Sequence, residues 1–327
     1  MADRDIMLTL EPAADATPRP LALTPGEDLL GFILTHAGRA LLFVITCTSV
    51  LAVLLILFFV VWRAVPFLTG YNVVEFLTSR EWLPTKTPPT FGALPLIVGS
   101  IYVSVAALLF AVPVGLLAAV FLSDIVSWKV RNIIKPVVEI LAAIPSVAYG
   151  FFAILVLAPW MQEHFGFTTG TNALNAALIL AVMALPTIIS VGEDSISALG
   201  RELREASYGL GATRMETIIK VVIPAAHSGI IAAIILGMMR AIGETMVVWM
   251  ASGNATQIPH PWWDLSQSIR TMTATIASEM GEAPDTGGVS HRSSLFAVGV
   301  ILLLMTLVLN LISEYFLSRA KKAAGKG

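Results

Sequence analysis

Cysteine is nearly absent. Cys47 is the only one, so no disulfide can form within the chain. It lies in an apolar run and reads as a small packing residue. Charge is scarce as well. Charged residues make up 13% of the 327, against about 25% in a soluble domain. The net charge of −2 gives no electrostatic ground for a nucleic-acid partner. The five histidines are scattered, without HExxH or paired-ligand spacing, so neither a metal nor another cofactor is expected. No G-x-x-x-x-G-K-[ST] stretch occurs, so any ATP that drives this chain must be hydrolysed by another one.

Apolar sequence fills the space that charge leaves. Hydrophobic residues reach 56% and mean hydropathy is +0.82. The chain reads as an all-α integral membrane protein. Six runs are long enough to span, near 40–62, 94–122, 137–158, 174–192, 226–251 and 294–317. Loop residues separate them: Thr87-Pro88-Pro89, Gly166 to Asn172, Pro259 to Pro261, and Gly287-Gly288.

Residues 1–38 read as a largely disordered tail with room for a short interfacial helix from Glu27 to Thr35. Residues 39–93 hold the first span and an outer loop. Residues 94–318 form the membrane core, and 319–327 a C-terminal tail. The first apolar run starts too far from the N-terminus for a signal peptide, so it is expected to stay uncleaved. Most Lys and Arg fall in the two tails, the 123–136 loop and the 193–224 segment. The other loops hold only Arg63, Arg80, Lys86, Arg270 and Arg292. The positive-inside rule then places both termini in the cytoplasm.

Pro113 and Pro145 lie within spans and are expected to kink them. Broken helices border the path in many transporters, although a packing kink explains such prolines equally well. In the loop before the last span, Asp264 and Gln267 have capping-box spacing. Leu265, Ile269, Met272, Ile276 and Met280 follow as one apolar stripe. This predicts an amphipathic outer helix over 264–281, either a gate, a docking surface or an element that only packs on the bundle.

Arg240 and Glu244 are the sharpest signal. They sit four apart inside Ile230 to Met250, which predicts one helix with both side chains on one face. An ionisable group at the bilayer centre costs roughly 2.5–3.5 kcal/mol on insertion scales. The pair is therefore a candidate solute path, against the plainer reading of an intrahelical ion pair that locks packing. Thr245 and Asn254 add neutral hydrogen-bonding groups, although most such residues in spans bond their own helix.

The 201–223 segment predicts two short helices with a glycine between them. Glu205 can pair with Arg201, Ala206 and Ser207 are small enough for close approach by a partner, and Gly211 permits a φ > 0 bend. Pro224 is expected to end the second helix and begin the next span. Glu205-Ala206-Ser207, three residues, Gly211, nine residues and Val221-x-Ile223-Pro224 resemble the EAA loop of ABC-importer permeases, with Ser207 where Ala is more usual. The resemblance narrows with Arg240-Ala-Ile-Gly-Glu-Thr-Met246, Gly253-Asn254, Ala277 to Ala283, Ser294 to Gly299, Ile144 to Phe152 and Phe91 to Pro95. These are similar to the PstC family of phosphate-importer permeases, over about 91–317. His227-Ser228 depart from the usual family residues.

The resemblance implies a type I ABC importer permease of MetI-like fold, with six transmembrane helices and cytoplasmic EAA coupling helices. It implies a PstA-like sister permease, two copies of a PstB-like cytoplasmic ATPase and a PstS-like extracytoplasmic phosphate-binding protein. The solute would be inorganic phosphate, moved across a bacterial cytoplasmic membrane. Arg201, Glu205, Ala206, Ser207, Gly211 and Pro224 would couple to the ATPase. Arg240, Glu244, Thr245 and Asn254 would line the path. Two alternatives stay open: a permease for another oxyanion such as sulfate or molybdate, and a membrane scaffold in phosphate signalling. A secondary transporter fits less well, because the two halves show no internal repeat.

Overall fold

A computed structural model describes residues 25–323. The chain divides into two compact units, up to Phe58 and from Phe59 onward. Helix α1, Pro25–Gly70, carries the first unit and its last turns belong to the second. From Leu41 through Phe59 its large apolar side chains are exposed on every side, as expected of a helix that faces lipid. Cys47 is exposed on it, so it does not pack within this helix's own unit. The helix begins at Pro25, so the helix expected over Glu27 to Thr35 is present but runs on into the first span instead of standing apart from it; residues 1–24 lie outside the described residues.

The second unit starts with a cap. Asn72 Oδ1 accepts from the backbone N–H groups of Val74 and Glu75 and opens the short helix α2, Val73–Thr78. Strands β1, Trp82–Leu83, and β2, Thr90–Phe91, pair antiparallel with Trp82 opposite Phe91. Phe67, Phe76, Trp82 and Phe91 form an aromatic cluster beneath them.

Helix α3, Leu94–Val120, continues through Pro113, so this proline does not break its span. A π-helical turn, Phe121–Ile125, extends it. Helix α4, Trp128–Ala143, has no buried residue. Pro145 does mark a break: α4 and the segment Ser146–Phe165 meet at 85°. That segment comprises α5, Ser146–Phe152, a π-helical turn, and α6, Ala158–Phe165. Helix α7, Ala173–Ser197, is capped by the Asn172 side chain. It is followed by α8, Glu202–Gly209, α9, Arg214–Thr217, and α10, Ile223–Ala225. Helix α11, His227–Gly243, α12, Met246–Ala251, α13, Met272–Glu279, and α14, His291–Ala323, complete the order. Helix α14 runs beyond the expected boundary at 318; residues 324–327 lie outside the described residues.

Among the described residues, four helices are long and apolar enough to cross a membrane. The number reaches six when each of two bent pairs, Trp128–Phe165 and Arg214–Gly243, counts as one span. The centre of the second unit is α7, which packs on α3 and α11. The contact surface is alanine-rich, with Ala106, Ala107, Ala111, Ala176, Ala177 and Ala184 buried. Small residues let helix backbones approach closely where no hydrophobic drive against lipid exists. Ile188 of α7 fills the notches left by two glycines. A Cβ on Gly115 of α3 or on Gly237 of α11 would lie 2.7 Å from an Ile188 side-chain carbon.

The wedge makes a graded prediction. Ile188 is fully buried, so Ile188→Val is expected to cost about 0.5–1.5 kcal/mol and Ile188→Ala about 2–5 kcal/mol. Thermal unfolding of the purified protein in detergent reads both. Equal melting temperatures for the two variants and the parent would contradict this packing.

Candidate functional site

Arg240 lies in the last turn of α11, and that helix stops at Gly243. Glu244 follows with extended backbone, φ −70° and ψ 132°, and α12 begins at Met246. The single helix expected over Ile230 to Met250 is therefore two helices. The break takes the Glu244 carbonyl out of the helical ladder, while the Thr245 carbonyl still accepts from the Trp249 N–H at 2.9 Å. In part compensation, Thr273 donates its hydroxyl to the Glu244 carbonyl at 2.9 Å. Thr245 Oγ1 lies 3.5 Å from the Gly243 carbonyl.

Because the helix stops, Arg240 and Glu244 do not stack one turn apart. Among the described residues no ion pair joins them, and the intrahelical lock is not formed. The Arg240 guanidinium donates from Nη1 to Thr187 Oγ1 of α7, at a long 3.5 Å. Its Nε is buried and has no hydrogen-bond partner. Its charge is near enough to act on both Glu244 and Tyr149. Two half-buried, opposite charges thus flank a helix break, and the cation has unused donor capacity.

Asn254 is farther along. It has φ +55°, donates Nδ2 to the Trp249 carbonyl at 2.6 Å, and leaves its buried Oδ1 unpaired. The neighbouring Gly253 has φ +80°. A Cβ there would lie 2.7 Å from the Thr171 carbonyl. Gly253 also bridges Ile269, and turns and loop stand where the expected outer helix begins. That helix is confined to Met272–Glu279, with Thr271 as its cap. Asp264 is no helix cap. Its carboxylate accepts from the Ser266 backbone and hydroxyl and from Gln267, which closes a local turn.

The 201–223 segment forms a compact knob. Gly211 turns the chain with φ +85°. Thr213 and Glu216 make a capping box. Hydrogen bonds from the Thr213 backbone and hydroxyl, then from Lys220, hold the Glu216 carboxyl down to about 2. Ser207 is buried and bonds Thr217 across the knob at 2.9 Å. It therefore joins the two helices internally and does not offer a close-approach surface. Arg201, Glu205 and Ala206 are exposed, and among the described residues Arg201 and Glu205 form no ion pair. Leu210 is 91% exposed and Met215 62%. A π-helical turn carries the chain through Val222, and Pro224 sits in the one-turn helix α10. Pro224 thus stands in a first helical turn, and the 71° bend falls after Ala225, before α11.

Two charged clusters escaped the sequence reading. Near the knob, Glu193 of α7 is fully buried and pairs with Arg131 and with Lys135, the latter at 2.7 Å. Asp124 binds Arg204 through both oxygens, at 2.6 and 3.3 Å. The sequence signal was the pair Glu193-Asp194 directly after an apolar run, which read as the end of a span. On the loop side of α14, Glu279 binds Arg270 at 2.7 Å, His291 at 2.8 Å and Trp82 Nε1 at 3.0 Å.

A model of the family described as the binding-protein-dependent transport system inner membrane component matches residues 111–322. The chain belongs to this family. It is thus an inner-membrane component of a transport system, and its permease relatives are transporter subunits rather than enzymes. The probable ABC transporter permease protein YqgH of Bacillus subtilis is 39% identical, over 77% of this chain and 80% of the relative. The phosphate transport system permease protein PstC of Mesorhizobium japonicum is 34% identical, over 99% of each chain. The inward-facing MetNI methionine ABC transporter superposes with a TM-score of 0.51 at 19% identity, covering 68% of this chain and 93% of that one. That likeness supports the MetI-like permease fold and nothing finer.

The Glu279 cluster predicts a pH dependence. Burial pushes its carboxyl up, but hydrogen bonds from His291 and Trp82 and the charges of Arg270 and His291 outweigh burial, leaving it below the ordinary 4.5. A depressed carboxyl contributes stability that is present above its unfolded value and is lost as pH falls through its folded one. The melting temperature of the parent is therefore expected to fall below pH 4.5 more steeply than that of Glu279→Gln. Parallel profiles would contradict this.

Proposed function

We propose that this chain is the permease subunit of an ATP-driven importer of inorganic phosphate. The supporting observation is Arg240, a permanently charged side chain at a helix break, with a buried Nε that no described group satisfies. A planar guanidinium matches phosphate oxygens in pairs. A buried donor without a partner is costly, and an incoming oxyanion removes that cost. The PstC relatives named for phosphate transport support the same solute.

Partners follow from the reading. A PstA-like permease completes the path, two PstB-like ATPases engage the knob, and a PstS-like binding protein delivers the solute from the opposite face. Both termini and the knob face the cytoplasm. The exposed face of Arg201, Glu205, Ala206, Leu210 and Met215 meets the ATPase. ATP binding draws the ATPases together and opens the path outward; hydrolysis and product release reset it.

Glu244 gives selectivity. Hydrogen phosphate keeps a P–OH donor at neutral pH, whereas sulfate has none. A carboxylate beside the bound anion accepts a hydrogen bond from that P–OH and repels sulfate. Asn254 and Thr245 supply neutral hydrogen bonds farther along the path.

Uptake of labelled phosphate by proteoliposomes containing the whole complex tests the reading. Arg240→Ala is expected to reduce uptake about ten- to a hundredfold, the equivalent of one charge-assisted hydrogen-bonded contact. Arg240→Lys should recover only part, because the charge returns without the fork. Parental uptake by Arg240→Ala would overturn the assignment of the path. In the same vesicles Glu244→Gln is expected to let sulfate compete with phosphate; unchanged selectivity would remove Glu244 from that role.

A further inference from the structure

The knob and Arg240 are far apart in the fold, yet one continuous set of contacts leads from one to the other. It begins at Asp124, in the π-helical turn after α3, and Asp124 is nearly buried. Arg204 of α8 grips its carboxylate and also donates to the Ile196 carbonyl of α7 at 3.1 Å. Arg214 of α9 donates to the Asp124 backbone carbonyl. Both helices of the knob thus hold one residue. Ser123, next in the chain, lies 3.2 Å from Ser197 Oγ. Ser197 donates to Glu193 at 3.3 Å and accepts from Arg131 at 3.3 Å. Glu193 closes the set by pairing with Arg131 and Lys135 of α4, and Lys135 also reaches Asp194 at 3.2 Å.

Thr187, the partner of Arg240, is six residues earlier on the same helix as Glu193, about 9 Å along its axis. A helix packed on both sides moves as a unit over that length. Packing does not require a charge at Glu193, because well-packed apolar residues replace a buried ion pair at no loss, and often at a gain. The carboxylate does something that packing does not: it ties α4, which has no buried residue of its own, to the end of α7 nearest the knob.

We propose that Glu193 is a positioning residue of the transport cycle. It makes α4 and α7 one body, so that displacement of the knob, received at Asp124 by Arg204 and Arg214, arrives at Thr187 and Arg240. This rests on the reading of the chain as an ATP-driven permease, and it adds the route by which the knob acts on the path.

The test uses the reconstituted complex with its ATPase and binding protein. It compares the parent, Glu193→Gln, and the triple variant Arg131→Met, Lys135→Met, Glu193→Met. Three quantities are read: melting temperature, the ratio of ATP hydrolysis with and without binding protein, and phosphate moved per ATP. Glu193→Gln is expected to lower both ratios at least about fivefold, the lower end of ordinary coupling between sites. The triple variant, free of unpaired charge, is expected to regain the melting temperature but neither ratio. Recovery of both ratios together with stability would overturn the proposal and leave Glu193 a structural ion pair. Parental ratios in Glu193→Gln would overturn it too. Absence of phosphate uptake by the parent would count against phosphate alone, because the hydrolysis ratio still reads coupling.

Discussion

Ile188 between two glycines is the contact on which the rest of the second unit depends. Without a Cβ on Gly115 and Gly237, α3 and α11 close on α7 from both sides. That closeness sets the position of Thr187, the neighbour of Ile188, against Arg240. It also fixes the end of α7 where Glu193 meets α4. In a membrane, helices gain little from hiding apolar surface from lipid of equal polarity, so shape complementarity of this kind holds them. The charged groups are then few and each has a defined place.

The break at Gly243–Thr245 is the second constraint. A continuous helix would have satisfied every backbone group and placed Glu244 one turn from Arg240, where the two charges would neutralise each other. Interrupting it leaves the arginine with unused donors and turns the carboxylate into a neighbour rather than a partner. A solute anion meets a cation that is available, beside an acceptor that can select among anions. The knob is built the opposite way. Ser207 and Thr217 satisfy each other inside it, and Thr213 and Glu216 cap it, so it is stiff. Its exposed apolar residues Leu210 and Met215 face outward.

Much of this was legible in the residues. Length and hydropathy located the spans, because a span is a statement about about twenty consecutive side chains. The turn at Gly211 was legible as local backbone chemistry. Breaks were harder. Pro145 ends a helix and Pro113 does not, although both are prolines within apolar runs; whether a neighbour accommodates the missing donor is decided outside the local sequence. The stripe from Leu265 to Met280 has helical spacing, yet only Met272–Glu279 is helical. The Gly253–Ile269 bridge and the Asp264 turn hold the preceding segment in turns and loop. Glu193 stayed invisible because its partners, Arg131 and Lys135, come from a helix nearly sixty residues away and read as ordinary inner-face cations.

Protection of a thiol at the helix break tests the central claim most directly. With Cys47→Ser as background, Thr245→Cys carries the only thiol in the chain, and a small anionic thiol reagent reports access to it in the reconstituted complex. Phosphate is expected to slow that labelling, while sulfate at the same concentration leaves it unchanged. A labelling rate indifferent to phosphate, in a complex that still transports it, would place the path elsewhere and return Arg240 and Glu244 to structural roles.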